Sequence, residues 1–230
     1  MLAARRVLAL GAHPDDVELQ AGGSLAAWAA QGAAVELACF TAGEKGSPDP
    51  ETDPAELGRV RRAEATAAAR ALGASVPVHF LGVVDGELEV TMALRLAVAR
   101  LVRTARPDVV LGHDPWRRWL LHPDHRAAGL LTVDGVVAAR DPLYAPQLGA
   151  EGLAAHRPHT VLLFGTEAPD ELVDVTATMD AKLAALRAHA SQLPDPADLE
   201  RRVRTWNAAI GADAGLAYAE AFHSLDTRGR

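Results

Sequence analysis

The stretch VLALGAHPDDVE, residues 7–18, joins a short apolar run to a cluster of ionisable side chains. The run is continuously apolar rather than alternating, which is typical of a strand covered on both faces of a parallel sheet. Four later runs have the same character: VELACFT (35–41), VPVHFLG (76–82), DVVLGH (108–113) and TVLLFG (160–165). We therefore predict five buried strands.

Helical patterns separate these runs. One helix has a clear start, with Asp53 as N-cap, Pro54 at the first position and Glu56 three residues after the cap, a capping-box arrangement. It runs to about Leu72 and ends at Gly73. Further helices are predicted over 23–31, 91–106, 124–140, 178–191 and 197–210. This alternation predicts right-handed βαβ units and an α/β fold with a mostly parallel sheet.

Length and composition restrict the class of protein. With 230 residues, we expect one domain over 1–230. The formal net charge of −7, without a concentrated basic stripe, argues against nucleic acid as a partner. The one cysteine, Cys39, excludes an internal disulfide and a thiolate-rich metal site. The apolar stretch after Arg6 is too short for a signal peptide, and no stretch is long enough to span a membrane, so we expect a cytoplasmic protein without a membrane partner.

Polar side chains follow the predicted strands where each strand ends. In open α/β sheets, ligands bind outside the carboxyl ends of the strands. The residues at these ends are His13, Asp15 and Asp16, then Thr41, Gly43 and Glu44, then Asp85, and finally His113, Asp114, His122, Asp124 and His125. The sequence therefore predicts a functional site at this edge. The longest irregular stretches, 42–55 and 141–158, are candidates for its rims or lids.

The first motif is HPDD, residues 13–16. Pro14 fixes its own φ and biases His13 towards an extended conformation, so the turn is stiff and can aim His13 and Asp16 at one point. Imidazole nitrogen and carboxylate oxygen are ordinary zinc ligands. The alternative interpretation is an Asx-type turn with helix-capping aspartates.

The second motif is HPDH, residues 122–125, which opens a helix. His122 and His125 are three residues apart and can share a helical face, with Asp124 between them. The alternative interpretation is a helix N-terminus in which Asp124 faces the helix dipole and the histidines are incidental. Together the two motifs offer three candidate ligands, and a catalytic zinc needs three protein ligands and an open position.

The two motifs also carry a resemblance. AHPDDVE after the first strand, HPDH after the fourth, RRAEATAAARALG at 61–73 and KLAALRAHASQ at 182–192 together resemble the LmbE-like (PIG-L) superfamily of zinc-dependent N-acetylglucosaminyl deacetylases. The resemblance covers most of the chain, in the expected order. It implies a single LmbE-like domain with a Rossmann-like three-layer αβα fold, which hydrolyses an acetamide on an amino sugar. It leaves assembly into a homo-oligomer open.

The resemblance also implies roles for site residues. The implied zinc ligands are His13, Asp16 and His125. Asp15 is implied as the general base, and His122 as the group that stabilises the oxyanion, with Asp124 orienting it. The chemistry agrees, because zinc polarises a carbonyl and lowers the pKa of a bound water towards about 7. Another divalent ion also suits such a ligand set.

Four further residues are candidate contacts of the substrate. Arg61 and Arg62 lie early in the second helix, where family members have a substrate-contacting arginine; a solvated helix face is the alternative, and the sequence does not choose between the two. Asp85 is expected either to accept hydrogen bonds from sugar hydroxyls or to form a turn with Gly86. Trp116 is expected to stack on a sugar ring or to pack within its loop.

We therefore expect a zinc-dependent hydrolase that removes an N-acetyl group from a small glycoside containing N-acetylglucosamine. One alternative is an amidase of the same fold that cleaves thiol conjugates of amino sugars. Another is a non-catalytic protein that binds sugar or metal. This alternative predicts that a general base is missing, whereas Asp15 is present. A two-metal phosphoesterase would need a further ligand set.

Overall fold

The computed structural model describes residues 2–228 and contains one seven-stranded sheet. Its strands are β1 (Arg6–Gly11), β2 (Ala34–Thr41), β3 (His79–Val83), β4 (Val109–His113), β5 (Thr160–Phe164), β6 (Glu171–Asp174) and β7 (Ala219–Asp226). They are ordered β3-β2-β1-β4-β5-β7-β6. Strands β1 to β5 run parallel, whereas β7 is antiparallel to β5 and β6 is antiparallel to β7. The carboxyl ends of the five parallel strands therefore share one edge.

Helices cover both faces of the sheet. They are α1 (Asp16–Ala30), α2 (Pro54–Ala71), α3 (Met92–Ala105), α4 (Pro123–Arg140), α5 (Pro146–Ala150), α6 (Met179–Arg187) and α7 (Pro196–Gly211). Val7 and Ala9 of β1 pack in one hydrophobic core with α1, α2, α6 and α7. Leu8 and Leu10 pack in a second core with α3, α4 and α5. Successive side chains of a strand point to opposite faces, so β1 contributes to both cores and the three-layer prediction is confirmed.

The prediction that the first helix spans 23–31 is wrong, because α1 begins seven residues earlier, at Asp16. Gly22 and Gly23 lie inside the helix rather than before it. A Cβ on Gly22 would lie 3.2 Å from Lys182 Cγ, and one on Gly23 would lie 2.6 Å from Val175 Cβ. These glycines therefore permit close packing against α6 and the segment before it. The early start places the whole HPDD motif at a strand–helix junction.

Two strands were not predicted. Strand β6 has only four residues, and β7, AEAFHSLD, mixes apolar and polar side chains instead of forming a continuous apolar run. Both are antiparallel additions at one side of the sheet, where one strand is an edge. The signal used for buried parallel strands therefore does not apply to them.

A buried ion pair ties α1 to α6 and β7. Lys182 Nζ lies 2.6 Å from Glu220 Oε1, and both side chains are buried. Glu220 also accepts hydrogen bonds from the backbone N–H groups of Gly23 (2.9 Å) and Ser24 (2.8 Å), so its charge is satisfied on two sides. A buried carboxylate held in this way connects three elements of the fold.

The two long irregular stretches are both ordered. At the end of 42–55, Asp53 accepts a hydrogen bond from Ala55 N at 2.9 Å and caps α2 as predicted. Glu56 pairs with Arg59 (2.8 Å) instead of completing the capping box. The stretch 141–158 contains α5 and is anchored by the buried Arg103, which donates to the carbonyl of Ala145 at 3.0 Å. None of the helices in the described part of the chain is both long and apolar enough to cross a membrane.

Candidate metal and catalytic site

The HPDD motif forms a tight junction between β1 and α1. The backbone N–H of His13 donates to Asp16 Oδ2 at 2.8 Å, which closes the turn. Asp15 is the N-cap of α1 and has φ of 97°, a left-handed conformation that non-glycine residues rarely adopt. Backbone strain of this kind is found where the surrounding structure over-determines a functional conformation. A Cβ on Gly11 would lie 3.1 Å from Asp16 Cβ, so the strand end leaves no room for a side chain.

The structure brings the three predicted metal ligands together. His13, Asp16 and His125 each offer one ligand atom, and these atoms lie within 4.8 Å of one another. His125 Nε2 is 3.2 Å from Asp16 Oδ1, and His13 Nδ1 is 3.5 Å from Asp16 Oδ2. Two imidazoles and one carboxylate around a common point are a donor set that suits zinc. These residues therefore fit a metal of that class.

A second group of potential ligands overlaps the first. His13, His122 and Asp124 also bring ligand atoms within 4.8 Å of one another. His113 lies beside both groups, with its Nε2 3.1 Å from Asp16 Oδ2. The site thus holds more donors than the three that one catalytic ion needs, and the additional groups are available to orient ligands or move protons.

Two carboxylates face the other nitrogen of His13. His13 Nε2 lies 3.0 Å from Asp85 Oδ1 and 3.2 Å from Asp124 Oδ2. Burial acts to lower the pKa of His13, but hydrogen bonds to Asp16 and Asp85 outweigh it and raise the pKa to about 10. A histidine that ligates metal through one nitrogen commonly donates its other N–H to a carboxylate, which fixes the ring. The surroundings of His13 match that arrangement.

Asp16 is held as a carboxylate. Burial alone would raise its pKa, but the neighbouring His113, His125 and His13 lower it well below the usual range. An ionised carboxylate is the form that binds a cation. The three imidazoles around Asp16 therefore favour the charge state that a metal ligand needs.

The pKa of Asp15, unlike that of Asp16, is raised. Burial and the neighbouring negative charge of Asp16 raise its pKa to about 7, although Arg61 acts to lower it. Its side chain is a quarter exposed, and its Oδ2 lies 3.3 Å from Arg61 Nη2. A group that takes and returns a proton works best when its pKa is near the ambient pH. The pKa values of the two adjacent aspartates are thus shifted in opposite directions because their surroundings differ.

The structure distinguishes the two candidate arginines. Arg61 is buried and donates from Nη2 to Pro14 O (2.7 Å) and from Nη1 to Gly43 O (2.8 Å). Arg62 is exposed, and its guanidinium carbon lies 4.5 Å from the centroid of the Phe80 ring. Only Arg61 reaches the HPDD turn. It joins the HPDD turn to the loop after β2 through these two hydrogen bonds.

Gly43 makes room for this contact. It has φ of 65°, and a Cβ there would lie 2.2 Å from Arg61 Nη1. A Cβ on Gly46 would lie 2.6 Å from the same atom. The loop after β2 therefore needs glycine at both positions for the guanidinium to pass.

The HPDH motif opens α4, and its residues His122 and Asp124 face different groups. His122 is the exposed N-cap, and its Nδ1 accepts a hydrogen bond from Asp124 N at 3.3 Å. The Asp124 carboxylate is fully buried and accepts hydrogen bonds from Gly86 N (2.8 Å) and Leu88 N (3.3 Å). Asp124 therefore fixes the loop after β3 as well as the start of α4.

The surroundings of His122, the residue implied as the oxyanion-stabilising group, do not favour its charged state. Burial and the neighbouring His13 and His125 lower its pKa, and Asp124 offsets only part of this effect. The hydrogen bond to Nδ1 assigns the proton of the neutral ring to Nε2. His122 is thus arranged as a neutral N–H donor rather than as a cation.

The other two candidate substrate contacts occupy different environments. Asp85 is buried, and its Oδ2 accepts a hydrogen bond from Lys45 N at 3.0 Å while its Oδ1 faces His13. Burial raises its pKa, but His13 more than compensates, so the pKa of Asp85 is lowered. Trp116 is 58% exposed, and its backbone N–H donates to Asp114 Oδ1 at 2.9 Å.

Sequence reasoning placed His113 at the end of a strand without giving it a role. In the structure its ring stacks on His125 at 4.3 Å between centroids and lies 4.6 Å from the Phe164 ring. Glu44, likewise without a predicted role, accepts a hydrogen bond from Asp85 N at 3.0 Å. Their positions after β4 and β2 were the sequence signal that could have indicated a role in the site, because polar residues at these strand ends meet at one edge of the sheet.

Comparison with known proteins places this site in a known class. Residues 8–136 match the PIG-L family, described as GlcNAc-PI de-N-acetylase. Diacetylchitobiose deacetylase of Thermococcus kodakarensis is 34% identical over 94% of this chain and 81% of its own length. The solved structure of N,N'-diacetylchitobiose deacetylase from Pyrococcus horikoshii in complex with an inhibitor has a TM-score of 0.91 and 32% identity, covering 97% of this chain and 84% of that one.

A third relative has a different activity. 4-Oxalmesaconate hydratase of Pseudomonas putida is 30% identical over 97% of this chain and 90% of its own length. The family is nevertheless described as de-N-acetylases, which are hydrolases that act on amide bonds. This chain belongs to the PIG-L family.

Proposed function

We propose that this protein is a zinc-dependent hydrolase that removes the N-acetyl group from a small glycoside containing N-acetylglucosamine. The observation that carries the proposal is the convergence of His13, Asp16 and His125 within 4.8 Å, directly beside the Arg61-clamped Asp15. The family described as de-N-acetylases and the chitobiose deacetylase relative support the choice of substrate class.

His13, Asp16 and His125 would hold the ion. When bound, zinc supplies a Lewis acid that polarises the acetamide carbonyl and makes water a stronger acid. The carboxylates beside His13 Nε2, from Asp85 and Asp124, orient the first ligand and favour its metal-binding tautomer.

Asp15 is the general base of the proposed reaction. It takes a proton from the attacking water as the carbon–oxygen bond forms, and it returns that proton to the leaving nitrogen as the carbon–nitrogen bond breaks. The products are acetate and a free amine. A pKa raised by burial suits both steps, and Arg61 keeps the carboxylate aimed at the site.

His122 is the proposed oxyanion donor. Because its Nδ1 accepts from the backbone of Asp124, Nε2–H is the donor that can face the oxygen on which negative charge develops. Asp124 is a positioning residue in this scheme, since it holds the His122 ring through its backbone N–H and the loop after β3 through its carboxylate.

The four candidate substrate contacts have different surroundings, which favour different roles. Arg61 acts through Asp15, because it is buried and bonded to backbone oxygens. Trp116 offers an exposed indole nine residues before the proposed metal ligand His125 and is the proposed sugar platform. Arg62 is exposed and is proposed to contact polar groups of the substrate at the rim. Asp85 is proposed to act through His13 instead, because it is buried and its two oxygens face His13 Nε2 and Lys45 N. A cytoplasmic location and the absence of nucleic-acid and membrane partners stay predictions.

The alternatives are an amidase acting on amino-sugar thiol conjugates, a non-catalytic binding protein, and a hydratase like the Pseudomonas putida relative. The test is amine release from N-acetylglucosamine, its β-linked disaccharide and an amino-sugar thiol conjugate, with and without a chelator. Chelator-sensitive amine release from the first two supports the proposal. Release from the conjugate alone supports the amidase, and stoichiometric metal without release from any of the three contradicts both.

A further inference from the structure

The segment HASQ, residues 189–192, follows α6 and has no role in the proposed site so far. The His189 side chain is fully buried, and neither of its ring nitrogens makes a hydrogen bond within the described part of the chain. Burying a polar ring without a hydrogen bond costs free energy. Another contact of the ring must therefore favour its position.

That contact is an ion pair with Glu18, in the first turn of α1. His189 Nε2 lies 3.4 Å from Glu18 Oε1, and both side chains are almost completely buried. Burial acts to lower the pKa of His189, but Glu18, Asp15 and Glu64 outweigh it and raise the pKa. His189 therefore favours its protonated form and places a cation beside the first turn of α1.

Asp15 and Glu18 have the spacing of a capping box. Asp15 is the N-cap of α1, and a glutamate three residues later commonly accepts a hydrogen bond from the backbone N–H of the N-cap. An N-cap of this kind ordinarily has an extended backbone. In the structure, the Asp15 side chain makes no capping hydrogen bond, Glu18 faces His189, and Asp15 has φ of 97°. The fold thus adopts a strained turn where the local sequence favours a capped one.

A cation holds each of these carboxylates away from a capping position. Arg61 Nη2 lies 3.3 Å from Asp15 Oδ2, and His189 Nε2 lies 3.4 Å from Glu18 Oε1. Arg61 belongs to α2, whereas His189 follows α6, so the two cations come from different elements. Both contacts favour the left-handed turn, because each is made by a carboxylate that does not cap α1.

The HASQ segment also packs against the elements that position Arg61. Ser191 donates from its backbone N–H and from Oγ to the two oxygens of Glu64, at 2.8 and 2.7 Å. Glu64 lies three residues after Arg61 on α2, so the two residues are neighbours on the helix surface. Gln192 Nε2 donates to the carbonyl of Gly46 at 3.1 Å, and a Cβ on Gly46 would lie 2.6 Å from Arg61 Nη1. One segment therefore supports both sides of the strained turn.

We propose that His189 is a positioning residue that keeps Glu18 from capping α1 and thereby selects the left-handed conformation of Asp15. Because it is fully buried, His189 acts through Glu18 and does not contact the substrate. The proposal rests on the proposed function for the role of Asp15 as general base. Without His189, Glu18 is free to accept from the backbone N–H of Asp15, which then becomes extended and carries its carboxylate away from the metal ligands.

The test observes the backbone of Asp15 directly, in metal-free and in zinc-loaded protein. Backbone carbon chemical shifts, measured by nuclear magnetic resonance, distinguish a left-handed residue from an extended one. We expect left-handed shifts for Asp15 in the wild type and extended shifts in His189→Leu. In His189→Leu, kcat for amine release from the β-linked disaccharide of N-acetylglucosamine is expected to fall at least tenfold, with KM changed less than twofold.

Substitutions of Glu18 separate capping from the burial of a charge. Glutamine caps a helix as glutamate does, whereas methionine has a similar length and is only a weak acceptor. His189→Leu combined with Glu18→Gln is therefore expected to keep the extended shifts and the low kcat. His189→Leu combined with Glu18→Met is expected to regain left-handed shifts and most of the lost kcat. Equal behaviour of the two double variants would overturn the proposal.

His79→Leu is the matched control, because it also removes a histidine beside a glutamate. His79 Nε2 lies 3.1 Å from Glu36 Oε2 across β2 and β3, and this substitution is expected to leave the Asp15 shifts and kcat unchanged. His189→Gln can still donate to Glu18 and is expected to retain left-handed shifts. Thermal melting shows which variants are folded, and His189→Gln carries the test if His189→Leu does not fold.

Left-handed shifts for Asp15 in folded His189→Leu would overturn the proposal, as would extended shifts in folded His189→Gln. A His189-dependent change in the Asp15 shifts with no amine release by the wild type would reject the proposed function and retain the role of His189. Amine release by the wild type, with unchanged shifts and kcat in His189→Leu, would reject the role of His189 alone.

Discussion

Arg61 Nη2 lies 2.7 Å from the carbonyl oxygen of Pro14, a residue 47 positions earlier in the chain. The same nitrogen is 3.3 Å from Asp15 Oδ2, so one guanidinium holds both the backbone and the carboxylate of the strained turn. The contact joins α2 to the β1–α1 junction. It explains how a left-handed Asp15 is maintained beside the predicted metal ligands.

We expect Arg61→Ala to lower kcat on the order of 100-fold with little change in metal content, since a general base displaced by about 1 Å loses activity of that size. Arg61→Lys is expected to recover little, because an ammonium cannot reproduce the two-sided fork. Arg70→Ala, an exposed position on the same helix, is the control. Equal kcat in Arg61→Ala and Arg70→Ala would refute the positioning role.

Gly43→Ala is expected to reduce both stability and activity. The new Cβ meets the Arg61 guanidinium as well as a φ of 65°. Gly32→Ala is the matched control, because Gly32 has φ of 84° but nothing lies within 4 Å of its Cβ position. Gly32→Ala should cost only the left-handed backbone penalty of about 1–2 kcal/mol. Chemical denaturation of both variants measures the difference, and similar losses would contradict the close approach.

Metal removal is expected to lower the melting temperature as well as abolish turnover. An ion that binds only the folded state stabilises it by about 2.7 kcal/mol when its free concentration is 100 times its Kd. Thermal melting with chelator, followed by zinc add-back, tests this expectation. Asp16→Asn should show a much smaller change in melting temperature on adding chelator. A change as large as that of the wild type would contradict the ligand set.

Breaking the buried Lys182–Glu220 pair is expected to destabilise the fold without altering the site chemistry. Lys182→Met leaves a buried carboxylate without its cation, which costs about 3–5 kcal/mol. Lys182→Met combined with Glu220→Gln should recover part of this loss, because glutamine still accepts from the backbone of α1. Denaturant unfolding of the wild type, Lys182→Met, Glu220→Gln and the double variant gives the coupling energy. A single variant as stable as the wild type would contradict a structural role for the pair.

Much of the fold followed from local patterns, because strands covered on both faces carry long apolar runs. The start of α1 was misplaced because the helix was predicted from the Ala-rich stretch alone, whereas the helix begins within the HPDD motif. Strands β6 and β7 lack the buried-strand pattern, because they lie at one side of the sheet and pair antiparallel. Antiparallel edge strands are stabilised by tertiary partners that a local window does not contain.

The candidate site was predictable to the level of its two motifs. The choice between Arg61 and Arg62 was not, because adjacent helical residues point about 100° apart and the partners Pro14 and Gly43 are distant in sequence. The neutral state of His122 was also missed. It depends on the partial desolvation of the exposed His122 ring and on its closeness to His13 and His125, which only the assembled fold determines.

The central claim is that the two adjacent aspartates have separate tasks, with Asp16 holding the metal and Asp15 moving the proton. The most direct measurement is zinc content and amine-release rate in Asp15→Asn and Asp16→Asn, prepared in parallel with the wild type. The account predicts that Asp15→Asn retains about one zinc per chain and loses turnover, whereas Asp16→Asn loses both. Full metal in Asp16→Asn, or wild-type turnover in Asp15→Asn, would contradict it.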